Sequence, residues 1–547
     1  MSKTILALLY LAHFVSSYSG PWSALLSGTD IRGAFADNES DNNNAKFLTP
    51  AASYSIGRAL GGMIIKDCDC KGGGEVVIGR DTRTHGGVLV QAMARGIASM
   101  GLKVSDCGIA TTPSIFYGCS SERFDAGVMC TASHLPKHMA GFKFFVKDDQ
   151  YGARGLEKGQ VMGLLEAAEG LHEQGGDEGG PSSAEGKSKE GAAIDLVGRY
   201  KSHVVATFRR RTSLDAPFSD LKVLLSTGSG SGYIVGDVLS DLGAKLSTLD
   251  AAPDGNFPNG TPNPESKSMV DRTLKRCREV DADVAVLLDT DGDRCGIIVK
   301  TSKGYEIINR NRLIALVSSV ACRGNGGGET CEIVTDSVTS LGLEKFIEAK
   351  GGKQVRFMKG YLNVINEAKR RTAEGKVVPL AMETSGHGAF ECNGYSDDGS
   401  FTALVVLEEI VRSGGADECL KGFEDAGFEE ELRMKVKAGF AVKGIYEKIA
   451  EAVTQGTEIL QDWTFDIDNK EGVRVTFEGG FFMVRPSLHD PVISVQVEAR
   501  SDDDAKALVA KLVKLFMAPF EGRGFLPFDM SELEGVVEGS SEPRGWQ

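Results

Sequence analysis

The strongest constraint on this chain is a recurring pattern, a short apolar run that ends abruptly in a polar loop. It occurs at 76–78, 126–130, 221–225, 284–288, 332–335 and 379–382. Runs of this length, bounded by turn residues, read as buried strands. The first is followed by a helical stretch at about 86–100 and another strand at 103–107. Strand, loop, helix and strand in that order are the βαβ signature of a doubly wound α/β sheet. In such sheets ligand loops gather at the carboxyl ends of strands, so the loops are where chemistry is to be sought.

Run 126–130 opens into Thr131-Ala132-Ser133-His134, with Pro136 and Gly141 marking turn and loop and Lys143 beyond. A serine at the mouth of a strand, with a histidine beside it, is placed to do chemistry; a strand-to-loop turn with a hydroxyl cap reads the same way. Run 284–288 delivers Asp289, Asp291 and Asp293, followed by Arg294. Uncompensated, three carboxylates so close would repel one another and raise each other's pKa. A hard divalent cation removes the conflict, and all-oxygen ligation suits Mg²⁺. An EF-hand is excluded, because glycine comes fourth in the loop and Lys300 stands where its closing glutamate belongs.

Run 379–382 delivers Glu383-Thr384-Ser385-Gly386-His387, a set of donors and acceptors suited to sugar hydroxyls. His387 can also shuttle a proton near neutral pH. Upstream, Gly28 and Gly33 bracket Arg32 in what reads as a loop, leaving its guanidinium for an oxyanion or simply for solvent. Arg80 and Arg83 read as structural ion-pair partners. The glycine-rich 226–232 lacks the last glycine of a dinucleotide fingerprint, where Tyr233 stands, and reads as a tight strand-to-helix turn.

From about 430 the chain changes character, with strands at 473–477, 481–484 and 492–499 before a helix at about 502–517. Between two of these strands lies Arg485-Pro486-Ser487-Leu488-His489-Asp490-Pro491, a phosphate clamp or a simple hairpin turn. The Gly/Glu/Ser/Lys-rich stretch 170–192 reads as a flexible insertion.

The length of 547 residues allows roughly three or four domains. A net charge of −15 argues against nucleic-acid binding by bulk electrostatics, so an anionic ligand requires locally concentrated Arg and Lys. Eleven cysteines without zinc spacing read as reduced, mostly buried thiols. Residues 1–20 have the charged start, short apolar stretch and small-residue exit of a targeting segment. Reduced thiols favour import into an organelle such as a plastid over secretion, and a misassigned start codon would leave the protein cytoplasmic. Nothing later in the chain reads as transmembrane.

In their order along the chain these loops resemble those of the α-D-phosphohexomutases, the family that includes phosphoglucomutase and phosphomannomutase. The matching stretches run from Asp30-Ile31-Arg32-Gly33 to the Arg485 loop. The resemblance implies four domains around a central cleft. The first three would be α/β mixed-sheet domains, at 21–210 with the serine loop, 211–320 with the metal loop and 321–429 with the sugar loop. The last, 430–547, would be a C-terminal α+β domain with the phosphate loop.

By the same resemblance Ser133 is the phosphoserine, and Ser133, Asp289, Asp291 and Asp293 hold Mg²⁺. Arg32, His134, Lys143 and Arg294 surround the reacting phosphate, with Lys143 or His387 exchanging the hydroxyl proton. Glu383 and Ser385 contact the sugar, and Arg485 and Ser487 its distal phosphate. The implied reaction moves phosphate between O1 and O6 of glucose or mannose through a bound hexose 1,6-bisphosphate, in a monomer or homodimer. A phosphoglucosamine mutase and a non-catalytic sugar-phosphate-binding homologue are the alternatives.

Three departures from the family's pattern stand out. Leu135 stands where the family's serine loop has asparagine. Leu488, His489 and Asp490 occupy the last variable positions of its phosphate loop, which removes a glycine and a threonine. Lys359-Gly360-Tyr361-Leu362-Asn363 matches its third-domain loop poorly.

Overall fold

The computed structural model describes residues 21–36, 47–67, 73–174, 194–308, 310–323, 330–455, 463–487, 491–522 and 525–539. The expected targeting segment, most of the expected insertion, and Leu488, His489 and Asp490 lie outside the described residues.

Four sheets organise the described chain. In the first, the strand Glu75–Arg80 lies between Lys103–Ile109 and Ala126–Cys130, parallel to both, and Met139–Asp148 joins antiparallel to Ala126–Cys130. The second repeats this arrangement, with Lys222–Ser226 between Lys245–Leu249 and Val284–Leu288, and Cys295–Thr301 antiparallel beyond. The third repeats it again, with Cys331–Asp336 between Gly352–Phe357 and Leu380–Met382, then Gly388–Phe390. In all three the serine, aspartate and glutamate loops occupy the same place. Each joins a parallel strand to its antiparallel neighbour, at the parallel strand's carboxyl end.

Burial explains the apolar runs. In Val284–Leu288 the alternate residues Val284, Val286 and Leu288 enter one core, while Ala285 and Leu287 enter a second core on the opposite face. A strand covered on both faces needs an apolar side chain at every position, not at alternate ones. Ala126, Val128 and Cys130 are separated from Met129 in the same way.

The fourth sheet is antiparallel throughout, running Phe428–Lys435, Val492–Ala499, Gly480–Pro486, Val473–Phe477 and Thr464–Phe465. The helix Asp502–Met517 lays Leu508, Leu512 and Phe516 in its core. Ser501 Oγ caps that helix by accepting from Asp504 N at 3.2 Å, and Asp502, Asp503 and Asp504 put negative charge at its positive end.

This fourth unit docks on the third through buried polar groups. The Arg474 guanidinium donates to Ser337 O at 2.7 Å and Thr339 O at 3.1 Å. Glu498 accepts from Leu341 N, the first residue of the helix Leu341–Ala349. Beside them Phe481 and Met483 pack on Val338.

Two expectations are corrected. Arg32 lies on the strand Asp30–Phe35, paired antiparallel to Met139–Asp148, and not on a loop. Gly28 makes the turn that precedes this strand, whereas Gly33 is simply one of its residues. The beginning of the expected insertion is also not a linker, since 170–173 complete the helix Lys158–Glu173. Among the described residues no helix is long and apolar enough to cross a membrane.

Candidate active site

Ser133 sits just past Ala126–Cys130 with φ +50°, a left-handed conformation that a residue with a side chain adopts only when its surroundings enforce it. Arg83 enforces it. Its guanidinium donates to the carbonyls of Ser133 at 2.7 Å, Leu135 at 2.6 Å, Pro136 at 2.7 Å and Met139 at 3.3 Å. Asp81 pairs with Arg83 at 3.1 Å and also accepts from Thr131 Oγ1, which in turn accepts from Ser133 N at 2.9 Å. The expected ion-pair role of Arg83 is thus present, and its larger contribution is to fix the backbone of the serine loop.

The serine loop meets the aspartate loop of the second sheet. Ser133 Oγ donates to Asp289 Oδ2 at 3.0 Å, faces His134 Nδ1 at 3.2 Å, and accepts from Arg294 Nη2 at 3.4 Å. Lys143, buried on the strand beside the loop, reaches Asp291 at 2.9 Å and Asp293 more closely still. Arg32 is engaged with Asp30 at 2.7 Å and Thr131 O at 2.8 Å, beneath the same loop.

The three aspartates are fully buried, and one oxygen of each lies within 4.8 Å of the others. Burial, with Asp293 and Asp291 nearby, pushes Asp289 up to about 8. Asp293 feels the same burial, but Lys143, His387 and Arg294 hold it well below the carboxylate range. Burial alone would lower Lys143, yet Asp291 and Asp293 keep it well above the ordinary lysine value and so charged. Asp291 Oδ1 and Asp293 Oδ1 are buried without a hydrogen-bond partner. Buried carboxylate oxygens left so are costly, and an all-oxygen set of this kind fits a hard divalent cation.

The glutamate loop of the third sheet closes the ring. Ser385 Oγ reaches Glu383 Oε2 at 3.2 Å and His387 Nδ1 at 2.9 Å. His387 Nε2 faces Asp397 at 3.7 Å and Asp293 at 3.8 Å. A backbone bridge between Arg294 and His387 ties this loop to the aspartate loop. His134 is held well below the imidazole range by the Arg294 guanidinium, then by desolvation and Arg32, and is neutral at physiological pH.

Arg485 and Ser487 lie apart from this cluster, on and just after the strand Gly480–Pro486. The Arg485 guanidinium donates to Glu431 at 3.0 Å, and Lys359 meets the same carboxylate at 3.7 Å. Lys359 and Arg485 thus converge on one carboxylate between the third and fourth units.

Sequence reasoning gave no role to Lys359 and missed three residues nearer Ser133. Tyr361 donates to Asp30 at 3.1 Å and stacks on His387 with ring centroids 5.2 Å apart. Asp397 backs His387, and Thr112 donates to Asp291 from the first sheet's helix Thr112–Ser121. The signal for Asp397 was available, since it precedes Asp398, the N-cap of the helix Gly399–Ser413.

Comparison with known proteins decides the family. Residues 28–154, 199–304 and 309–424 match the phosphoglucomutase/phosphomannomutase alpha/beta/alpha domains I, II and III. The chain belongs to this family. Within the phosphoglucomutase/phosphomannomutase family, the Pseudomonas putida protein named phosphomannomutase/phosphoglucomutase is 27% identical over 469 residues, 85% of this chain and 91% of that relative. A probable phosphoglucosamine mutase of Methanopyrus kandleri is 28% identical over 474 residues, 86% of this chain and 94% of that relative. A solved phosphoglucomutase/phosphomannomutase family protein from Burkholderia thailandensis shares the fold, with a TM-score of 0.72 at 24% identity over 91% of this chain and 98% of that one.

Proposed function

We propose that this phosphohexomutase-family protein interconverts the 1- and 6-phosphates of glucose or mannose, with Ser133 carrying the phosphoryl group. The observation that carries this reading is the setting of Ser133 Oγ, in contact with Asp289, Arg294 and His134 across two units of the fold. The four units would divide near 210, 320 and 430, as expected from the loops.

In this reading, phosphorylated Ser133 gives its phosphoryl group to a sugar hydroxyl. The bond from phosphorus to Ser133 Oγ breaks as one to the sugar oxygen forms, and the hydroxyl proton passes to the protein. His387 suits that proton better than Lys143, which Asp291 and Asp293 keep charged. Arg294, Arg32 and Lys143 would offset the phosphoryl oxygens' charge, with His134 beside Ser133. The hexose 1,6-bisphosphate would then turn over in the cleft and return its other phosphate to Ser133.

Asp289, Asp291 and Asp293, with a Ser133 phosphate oxygen, would hold Mg²⁺, which when bound neutralises charge on the transferring group. Glu383 and Ser385 would take the sugar hydroxyls. Lys359 and Arg485, with Ser487, would take the distal phosphate in exchange for Glu431. The four carbonyls held by Arg83 support a competent serine loop despite Leu135. The Methanopyrus relative keeps a phosphoglucosamine substrate as the second reading.

Phosphorus NMR tests the proposal directly. The protein is mixed with Mg²⁺, a hexose 1,6-bisphosphate and the 1-phosphate of glucose, mannose or glucosamine, beside Ser133→Ala. A 6-phosphate signal is expected to grow with the parent and not with the variant, fastest for glucose or mannose. Inorganic phosphate alone, or no turnover with sugar phosphate bound, would overturn it.

A further inference from the structure

We propose that Cys322 and Cys331 form a reversible dithiol–disulfide site in the third unit, away from the reactive cleft. Cys322 ends the helix Asn311–Ala321 and Cys331 opens the strand Cys331–Asp336. Their Sγ atoms stand 3.1 Å apart, so little movement separates two thiols from a bond. The sheet makes room for the pair. Cys331 lies opposite Gly352 in the ladder, and a Cβ at 352 would come within 2.8 Å of Cys322 Sγ.

The two thiols differ in access. Cys322 is partly exposed, whereas Cys331 is buried. Cys322 can therefore meet a reagent from solvent, and Cys331 is screened from everything except its neighbour's side of the core. The hydrogen bond with Cys331 also draws the Cys322 thiol below its ordinary range, against the upward push of burial. Burial drives Cys119, Cys130 and Cys295 the other way, far above it. Thiolate character and access together select Cys322 as the attacking sulfur.

The oxidant is a low-molecular-weight disulfide. The Cys322 thiolate attacks one of its sulfurs, forming a mixed disulfide and releasing one thiolate. Cys331 then attacks Cys322 Sγ, which forms the internal bond and expels the second sulfur, and the Cys331 proton passes to that departing thiolate. The protein pair loses two electrons and two protons in all, and the external disulfide becomes two thiols. A small dithiol reverses both steps. The bond fastens the end of a helix whose other end holds Asn311 between Glu429 and Ser340 N. This site does not depend on which sugar the cleft accepts.

The test uses the folded full-length protein incubated with oxidised glutathione, quenched in acid, alkylated and digested with trypsin. Trypsin cuts after Arg323, between the two cysteines, so their bond reads as peptide 313–323 linked to 324–345. That linked species is expected, lighter by two hydrogens than its parts and lost on adding dithiothreitol. Cys331→Ser is expected to stop at a glutathione adduct on Cys322, and Cys322→Ser to leave Cys331 unmodified while folded. Two alkylated thiols in the wild type, or a lasting adduct on Cys322 with Cys331 free, would overturn the proposal. The wild-type digest decides the matter even if a variant does not fold.

Discussion

Tyr361 shows how much one side chain can hold together. Its hydroxyl donates to Asp30, its ring stacks on His387, and the Lys143 ammonium lies 5.8 Å from the ring centroid. Tyr361→Phe keeps the stack and removes the hydroxyl's hydrogen bonds, the one given to Asp30 and the long one accepted from Thr29 Oγ1 at 3.5 Å, so kcat/KM is expected to fall about fivefold, or ~1 kcal/mol. Tyr361→Ala removes both and is expected to cost more; steady-state kinetics on the two variants separates hydroxyl from ring, and equal losses would assign the whole effect to the hydroxyl. Residues such as Ser133, Asp289 and Glu383 were legible because each closely follows an apolar run, and the run fixes where the loop begins. Tyr361 was not, because its partners come from distant parts of the chain. Arg83 was read only as a structural ion-pair partner, since backbone carbonyls as acceptors leave no trace in a sequence. Arg32 was misread because a glycine on either side looks like a loop even when only Gly28 makes a turn.

Among the elements, the buried strands Ala126–Cys130 and Val284–Leu288 have the limits expected of them, because a strand covered on both faces is uninterrupted in sequence as well. The strand Gly352–Phe357 and the helix Lys267–Val280 escaped notice. Their exposed positions carry charged or polar residues that break up the apolar pattern. The helix Gly399–Ser413 comes close to the aspartate loop, a contact between distant parts of the chain. A Cβ at Gly399 would stand 2.6 Å from Arg294 C and 2.8 Å from its N and O, backbone against side chain with nothing flexible to yield. Gly399→Ala therefore must push helix and loop apart. A displacement of this kind is expected to lower kcat by roughly a hundredfold while the far-UV spectrum stays that of the parent. Kinetics and circular dichroism on the same sample check it, and unchanged kcat would show that the contact does not position the loop.

On the scale of the whole molecule, the joint between the third and fourth units carries the clearest pH signature. Burial, and then Glu429, push Glu498 up to about 7 from 4.5. Unfolded, this carboxyl ionises near 4.5; folded, it keeps its proton until about 7. Its favourable contribution is therefore complete below 4.5 and is lost as pH rises through 7, a change on the order of 3 kcal/mol at most. Glu498→Gln retains an acceptor for Leu341 N without the titrating charge. Melting curves are expected to match the parent's near pH 4.5 and to lie above them at pH 8, and coincident curves at both values would assign the proton elsewhere.

The threefold recurrence of one strand order has a further consequence, for the route by which the protein reaches its working state. Each reactive loop is built inside its own sheet, yet Lys143 of the first faces Asp291 and Asp293 of the second, and His387 of the third faces Asp293. Until those units dock, the second carries a knot of negative charge with no counter-ion from its neighbours. Dilution from denaturant should therefore restore helix and strand signals first and turnover only afterwards, with high salt narrowing the interval between them.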